Sequence, residues 1–151
     1  NDVSNLKIIA AQPHGCSPVV DAFKSNSNEI FPVEKPNTIA KSLAIGDPGD
    51  GIYVLKRLKQ YHGIAESATN QEIVNGILKL SKTEGIFTEP AGGVSVAVLQ
   101  KLVESGKIDR DANIVCYVTG NGLKSTEAIV GMLPKPSTVK PDVQMVSTII
   151  R

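Results

Sequence analysis

Apolar residues arrive in short bursts along this chain, and the spacing inside each burst alternates between strand-like and helix-like. Residues 6–11, Leu-Lys-Ile-Ile-Ala-Ala, form a nearly unbroken apolar run, the pattern of a strand covered on both faces. Residues 12–15 turn the chain. Ser17 then stands as a cap with Pro18 in the first helical position, and Val19, Val20, Ala22 and Phe23 give a short apolar face. Residues 24–36 are polar, with scattered Asn, Ser and Pro, and read as a surface loop. Asn37 or Thr38 opens a short helical pattern through Ile39, Ala40, Leu43 and Ala44 that ends at Gly46. Asp47 caps the next helix, with Pro48 in its first turn and Asp50 near the positive end of its dipole. That helix is expected to turn Ile52, Leu55 and Leu58 inward, and it ends at Gly63.

The second half repeats the alternation. Residues 64–67 fit a short strand. Thr69-Asn70-Gln71-Glu72 is a capping box, followed by Ile73, Ile77, Leu78 and Leu80 at helical spacing, with Gly85 as the stop. Residues 86–88 are briefly extended. Residues 89–93 turn directly into a helix that buries Val94, Ala97, Val98, Leu102 and Val103 and stops at Gly106. After a polar turn at 109–113, residues 114–118 form an apolar run expected to be a buried strand. A last helix is expected over 125–133, and the alternation of Val143, Met145 and Ser147 suggests an edge strand. Short apolar strands alternating with helices predict the α/β class: an open, mostly parallel sheet with helices on both faces, in three αβα layers.

Composition narrows the picture. The 151 residues suit one domain, with no internal boundary or fixed-period repeat. A net charge of +1 gives no electrostatic pull toward nucleic acid or anionic lipid. No segment is apolar for long enough to span a bilayer, and no signal peptide pattern is present, so a cytoplasmic protein is expected. The chain opens Asn1-Asp2-Val3-Ser4, without an initiator Met, and reads as cut from something larger. Cys16 and Cys116 are expected to be reduced thiols. His14 and Cys16 supply two metal ligands where a structural zinc needs four, so no metal site is expected. His14 and His62 stand singly, and the acidic residues are assigned to solvent faces.

Three turns could carry chemistry. The first follows the 114–118 run: Thr119 sits where a parallel strand would end, and ligands collect at the carboxyl ends of such strands. Gly120 and Gly122 would let a ligand approach the backbone. A phosphate loop is excluded, because Leu123 and Val118 occupy the two places that need glycine, and Ser125 breaks a dinucleotide fingerprint. The second turn, 89–93, opens onto a helix start with free amides. The third is 44–50. Each is also explained by packing alone: a tight strand-to-helix turn, a close helix-to-sheet approach, and two helices joined by a bend.

In sequence these turns sit within QPHGCSPVVDAF, TIAKSLAIGDP, EGIFTEPAGGVSVAVLQKLVESGKI and IVCYVTGNGLK. In this order they resemble the carboxyl-terminal portion of threonine synthase, a pyridoxal-phosphate enzyme of the tryptophan synthase β-subunit fold type, also called fold type II. The resemblance runs from Leu6 to at least Lys124. It implies a parent enzyme that converts O-phosphohomoserine and water to threonine and phosphate, with the cofactor held as a Schiff base on a lysine. By resemblance, Thr119 would face the ring nitrogen of the cofactor, with Gly120 beside it. Glu89 and Ala91 would lie near one side of the ring, and Ala44, Ile45 and Gly46 near its face or the substrate entrance. A neutral hydroxyl at the ring nitrogen would leave that nitrogen largely unprotonated.

No lysine here has the context of the Schiff-base lysine, Lys124 included, and the phosphate-cradling loop is absent. The resemblance therefore implies that residues 1–151 are a carboxyl-terminal part of the large domain, with no catalytic residue of their own and one wall of the cofactor site. The isolated chain is expected to be inactive and to associate with itself. The partners implied are O-phosphohomoserine, the missing amino-terminal part of the same enzyme and a second subunit in a homodimer. Other readings are a fragment of a threonine dehydratase or cysteine synthase of the same fold type, or a non-catalytic amino-acid-binding module.

Overall fold

A computed structural model describes residues 6–135 and 137–149. Its centre is a parallel pair of strands, β1 (Ile9–Pro13) and β2 (Ile64–Ala68), in register from Ile9 opposite Ile64 to Pro13 opposite Ala68. Alternation along β1 divides the core. Ile9 and Ala11 face one cluster, built on helices α3 (Asn70–Glu84) and α4 (Pro90–Glu104). Ile8 and Ala10 face the other, built on α1 (Pro18–Lys24) and α2 (Gly51–Gln60) with Val20, Leu58 and Ala65. Two helices on each face of a parallel sheet make the three αβα layers that the pattern predicts. β1 begins three residues later than the apolar run from Leu6 implies, and β2 reaches one residue further, to Ala68.

The helices form for local reasons. At α3 the capping box is complete: Thr69 Oγ1 accepts from the Glu72 amide at 3.3 Å, and Glu72 Oε2 accepts from the Thr69 amide at 2.7 Å. Gly85 ends this helix in the left-handed region, at φ 68°. Ile73, Ile77, Val94 and Leu102 are all but inaccessible, each contributing about 1.5–3 kcal/mol by burial. The α3–α4 contact needs backbones close together, since a Cβ on Gly76 would lie 2.6 Å from the Gly93 carbonyl oxygen.

Several expectations are corrected. Ser17 is the residue before α1 but its hydroxyl donates to Asp21; the free amides of Val19 and Val20 are met by Gln12 Oε1, at 3.0 Å each. The helix expected from Asp47 begins instead at Gly51 behind Asp50, because residues 48–51 first close a turn, with the Gly51 amide on the Pro48 carbonyl. Leu55 and Leu58 point inward as expected, whereas Ile52 is 40% exposed. The helix expected over 37–44 shrinks to one 3₁₀ turn, Lys41–Leu43. There the Ile39 amide donates to Asn70 Oδ1 and the Ala40 amide to Thr38 Oγ1, which diverts the backbone from helical bonding.

Residues 114–118 are not a strand. Their backbone joins no sheet, and Val115 and Tyr117 are 82% and 75% exposed. An apolar run becomes a strand only where a neighbour completes its ladder, and here 114–117 lie beside Ile9, Ala11, Val98 and Leu99 across a shallow cleft. The helix expected over 125–133 is instead a run of 3₁₀ turns, Thr126–Ala128 and Val130–Met132, in which Ile129 alone is deeply buried. The expected edge strand is helix α5 (Val143–Ile149), whose first amides, Gln144 and Met145, donate to Asp142 Oδ1. Cys16 and Cys116 are both free thiols, and burial pushes each above its ordinary pKa. Among the described residues no helix is long and apolar enough to cross a membrane.

Candidate functional site

Two segments far apart in sequence are stitched together beside the start of α4. Thr88 pairs antiparallel with Asn121. The Glu89 amide donates to the Gly120 carbonyl and the Gly122 amide to the Phe87 carbonyl, both at 2.9 Å. The Thr88 hydroxyl, fully buried, also reaches the Gly120 carbonyl at 3.2 Å.

Glu89 is the hub. It precedes α4 with an extended backbone, φ −65° and ψ 166°, and Pro90 supplies the first helical position. Its side chain does not cap its own helix but turns toward residues 119–124. The Thr119 hydroxyl donates to Oε1 at 3.3 Å, and Lys124 Nζ stands 3.0 Å from Oε2. The carboxylate is 9% exposed, while the Lys124 side chain is 63% exposed. Gly120 leaves room for this arrangement, because the Glu89 carboxylate fills the space that a side chain at 120 would occupy. Thr119 itself is an exposed residue.

The structure thus brings together Thr119, Gly120 and Glu89, with Ala91 the second residue of α4 and half-buried. It gives Ala44, Ile45 and Gly46 a different setting. They follow the 3₁₀ turn, the Gly46 carbonyl accepts from the Val33 amide at 3.0 Å, and Ile45 is 58% exposed. No hydrogen bond or ion pair among the described residues joins these three to Glu89 or Thr119. Lys124 is the member of the cluster that sequence reasoning set aside. Its signal was its place two residues after Gly122, on a turn already marked as special.

A buried acid outside the candidate site was also missed. Glu66, in the middle of β2, is 9% exposed, contrary to the assignment of acidic residues to solvent faces, and Glu89 is 7% exposed. Lys24 pairs with Glu66 Oε1, and Lys107 lies 3.7 Å from Oε2. Burial pushes the Glu66 carboxyl up, but the Lys24 hydrogen bond, the Ser67 amide and the charges of Lys24 and Lys101 outweigh it and hold it below its ordinary value. Glu72 behaves alike: burial opposes ionisation, and the Thr69 amide and Lys101 win. Lys101 also donates to the Ser67 carbonyl at 2.9 Å, and His14 Nδ1 lies 3.5 Å from the Ser67 hydroxyl. These bonds fasten the carboxyl ends of β1 and β2 to α3 and α4. Among the described residues no group of three or more His, Cys, Asp and Glu is arranged to hold a metal ion.

Residues 2–120 match the family described as "Pyridoxal-phosphate dependent enzyme". The chain is 38% identical over 145 residues to the threonine synthase of Methanocaldococcus jannaschii, covering 96% of this chain and 36% of that protein. It is 36% identical over 140 residues to the threonine synthase of Methanosarcina acetivorans, covering 93% and 35%. The chain therefore spans about a third of the length of these curated relatives. Among solved structures, maize serine racemase superposes with a TM-score of 0.64 at 18% identity, over 84% of this chain and 40% of that one, a likeness of fold alone. With most of its length matched by one family and near-complete overlap with relatives of that family, the chain belongs to the pyridoxal-phosphate dependent enzymes.

Proposed function

We propose that residues 1–151 are a carboxyl-terminal part of the large domain of a threonine synthase, acting on O-phosphohomoserine. The observation that carries this reading is the joining of 85–93 to 119–124 through Glu89 and Thr119, in a chain 38% identical to a threonine synthase. The residues present fit one edge of the cofactor. A hydroxyl on an exposed residue, backed by a buried carboxylate and a glycine, is of the right size and polarity to meet the nitrogen edge of a flat heteroaromatic ring. Lys124 is engaged by Glu89 and is not offered as an attachment point.

Pyridoxal phosphate, when bound, supplies an electron sink for charge that develops on the substrate. The contribution of this chain is to hold that ring in place. Thr119 would meet the ring nitrogen through an uncharged hydroxyl, Gly120 would let the ring edge come close to the backbone, and Ala91 would border the ring without crowding it. Ala44, Ile45 and Gly46 are proposed near the face of the ring or the substrate entrance. The attaching lysine and the phosphate cradle are assigned to the amino-terminal part of the enzyme, so this chain alone is expected to be inactive and to gain activity only with that part. A homodimer in the cytoplasm is the proposed state of the whole enzyme.

The test is an assay of the full-length protein for phosphate release from O-phosphohomoserine. Release that depends on pyridoxal phosphate, with threonine as co-product, supports the reading. Deamination of threonine without phosphate release would replace it with a dehydratase of the same family. Saturable amino-acid binding by this chain alone, without turnover in any form, would favour a binding module.

A further inference from the structure

The Thr119 hydroxyl carries one hydrogen, and Glu89 takes it. An ionised carboxylate can only accept, so in the 3.3 Å contact Thr119 is the donor. Lys124 Nζ lies 3.0 Å from the other carboxylate oxygen and shares its charge. A ligand atom that also needs a hydrogen from Thr119 therefore competes with Glu89 for it. The outcome depends on how much negative charge remains on Oε1, because hydrogen bonds to ionised acceptors are about twice as strong as neutral ones.

We infer that Lys124 and Glu89 are positioning residues that set how strongly Thr119 donates to its ligand. This rests on the proposal that the ligand is the ring nitrogen of pyridoxal phosphate, an acceptor when unprotonated. Neutralising Glu89 releases the hydroxyl toward the ring. Removing Lys124 concentrates charge on the carboxylate and holds the hydroxyl back. Gly120 belongs to the device, since the space of its missing side chain is filled by the Glu89 carboxylate.

The experiment uses the full-length protein that carries this chain, loaded with pyridoxal phosphate labelled with ¹⁵N in the ring. In Glu89→Gln the ring resonance should move toward its hydrogen-bonded position. In Lys124→Met it should move the opposite way, and this variant spares the core because the lysine is 63% exposed. Both displacements should vanish in a Thr119→Val background. Displacement in the same direction, or none in either variant, overturns the relay. If Thr119→Val alone leaves the ring resonance unmoved, the cofactor placement fails instead. The relay is then decided on the cofactor-free chain by the ¹³C resonance of the Glu89 carboxyl. Movement of that resonance in both Thr119→Val and Lys124→Met supports the relay, and a fixed resonance in either overturns it.

Discussion

A Cβ built on Gly120 would stand 2.1 Å from Oε1 of Glu89, closer than any real pair of such atoms. The glutamate cannot swing aside without leaving Lys124 and Thr119, so the two positions are sterically and electrostatically coupled. Gly120→Ala should therefore destabilise the chain by about 1–3 kcal/mol, as overpacked sites do. Gly49→Ala, where nothing lies within 4 Å, should be close to neutral. Urea denaturation of the two variants gives the comparison, and equal midpoints would contradict it.

Gln12 does for α1 what Ser17 was expected to do. Gln12→Leu strands the buried Val19 and Val20 amides and should cost about 1–3 kcal/mol. Ser17→Ala, which loses a bond to Asp21 rather than the cap, should cost about 0.5 kcal/mol. A larger loss at Ser17 than at Gln12 would show that the cap is misassigned.

The acid limb of stability should carry the signature of Glu66 and Glu72. Both carboxyls are held below their ordinary value of 4.5 in the folded chain. The unfolded state then binds more protons across that interval, so stability rises with pH through it. Their contribution is complete above the ordinary carboxyl value and is lost as pH falls through the lower folded-state values. Denaturation midpoints followed downward from pH 6 should fall less steeply in Glu66→Gln than in the unaltered chain. Parallel curves would refute the assignment.

Thiol reactivity should separate the two cysteines. Cys16 is fully buried beside α1, whereas Cys116 is partly exposed in the unpaired 114–118 segment. Burial raises both pKa values, so neither reacts fast near neutrality. An aromatic disulfide reagent should label Cys116 first, with Cys16 following at the rate of unfolding. Cys116→Ser should remove the earlier of the two phases; loss of the later phase instead would invert the placement.

What could be read along the chain was whatever is decided within a few residues. The capping box at Thr69 and Glu72, the αL stop at Gly85 and the Pro-initiated helices at Pro18 and Pro90 are closed by neighbours, so local chemistry suffices for them. The nearly unbroken apolar run at 6–11 was enough to imply a strand covered on both faces. The order of the special turns was enough to identify the family, because each turn keeps its own residues whatever surrounds it.

Tertiary structure decided everything that depends on a distant partner. The 114–118 run has the apolar character of a strand, yet a strand is a pairing, and among the described residues no ladder forms beside it. At 143–147 a strand-like alternation gave way to a helical turn in which the Gln144 and Met145 amides both donate to Asp142 Oδ1. Glu66 looks like a surface acid until Lys24 and Lys107 arrive from elsewhere to make its burial tolerable, as Lys124 and Thr119 do for Glu89. A buried charge needs its partners in place, and those partners are brought by the fold rather than by nearness in sequence.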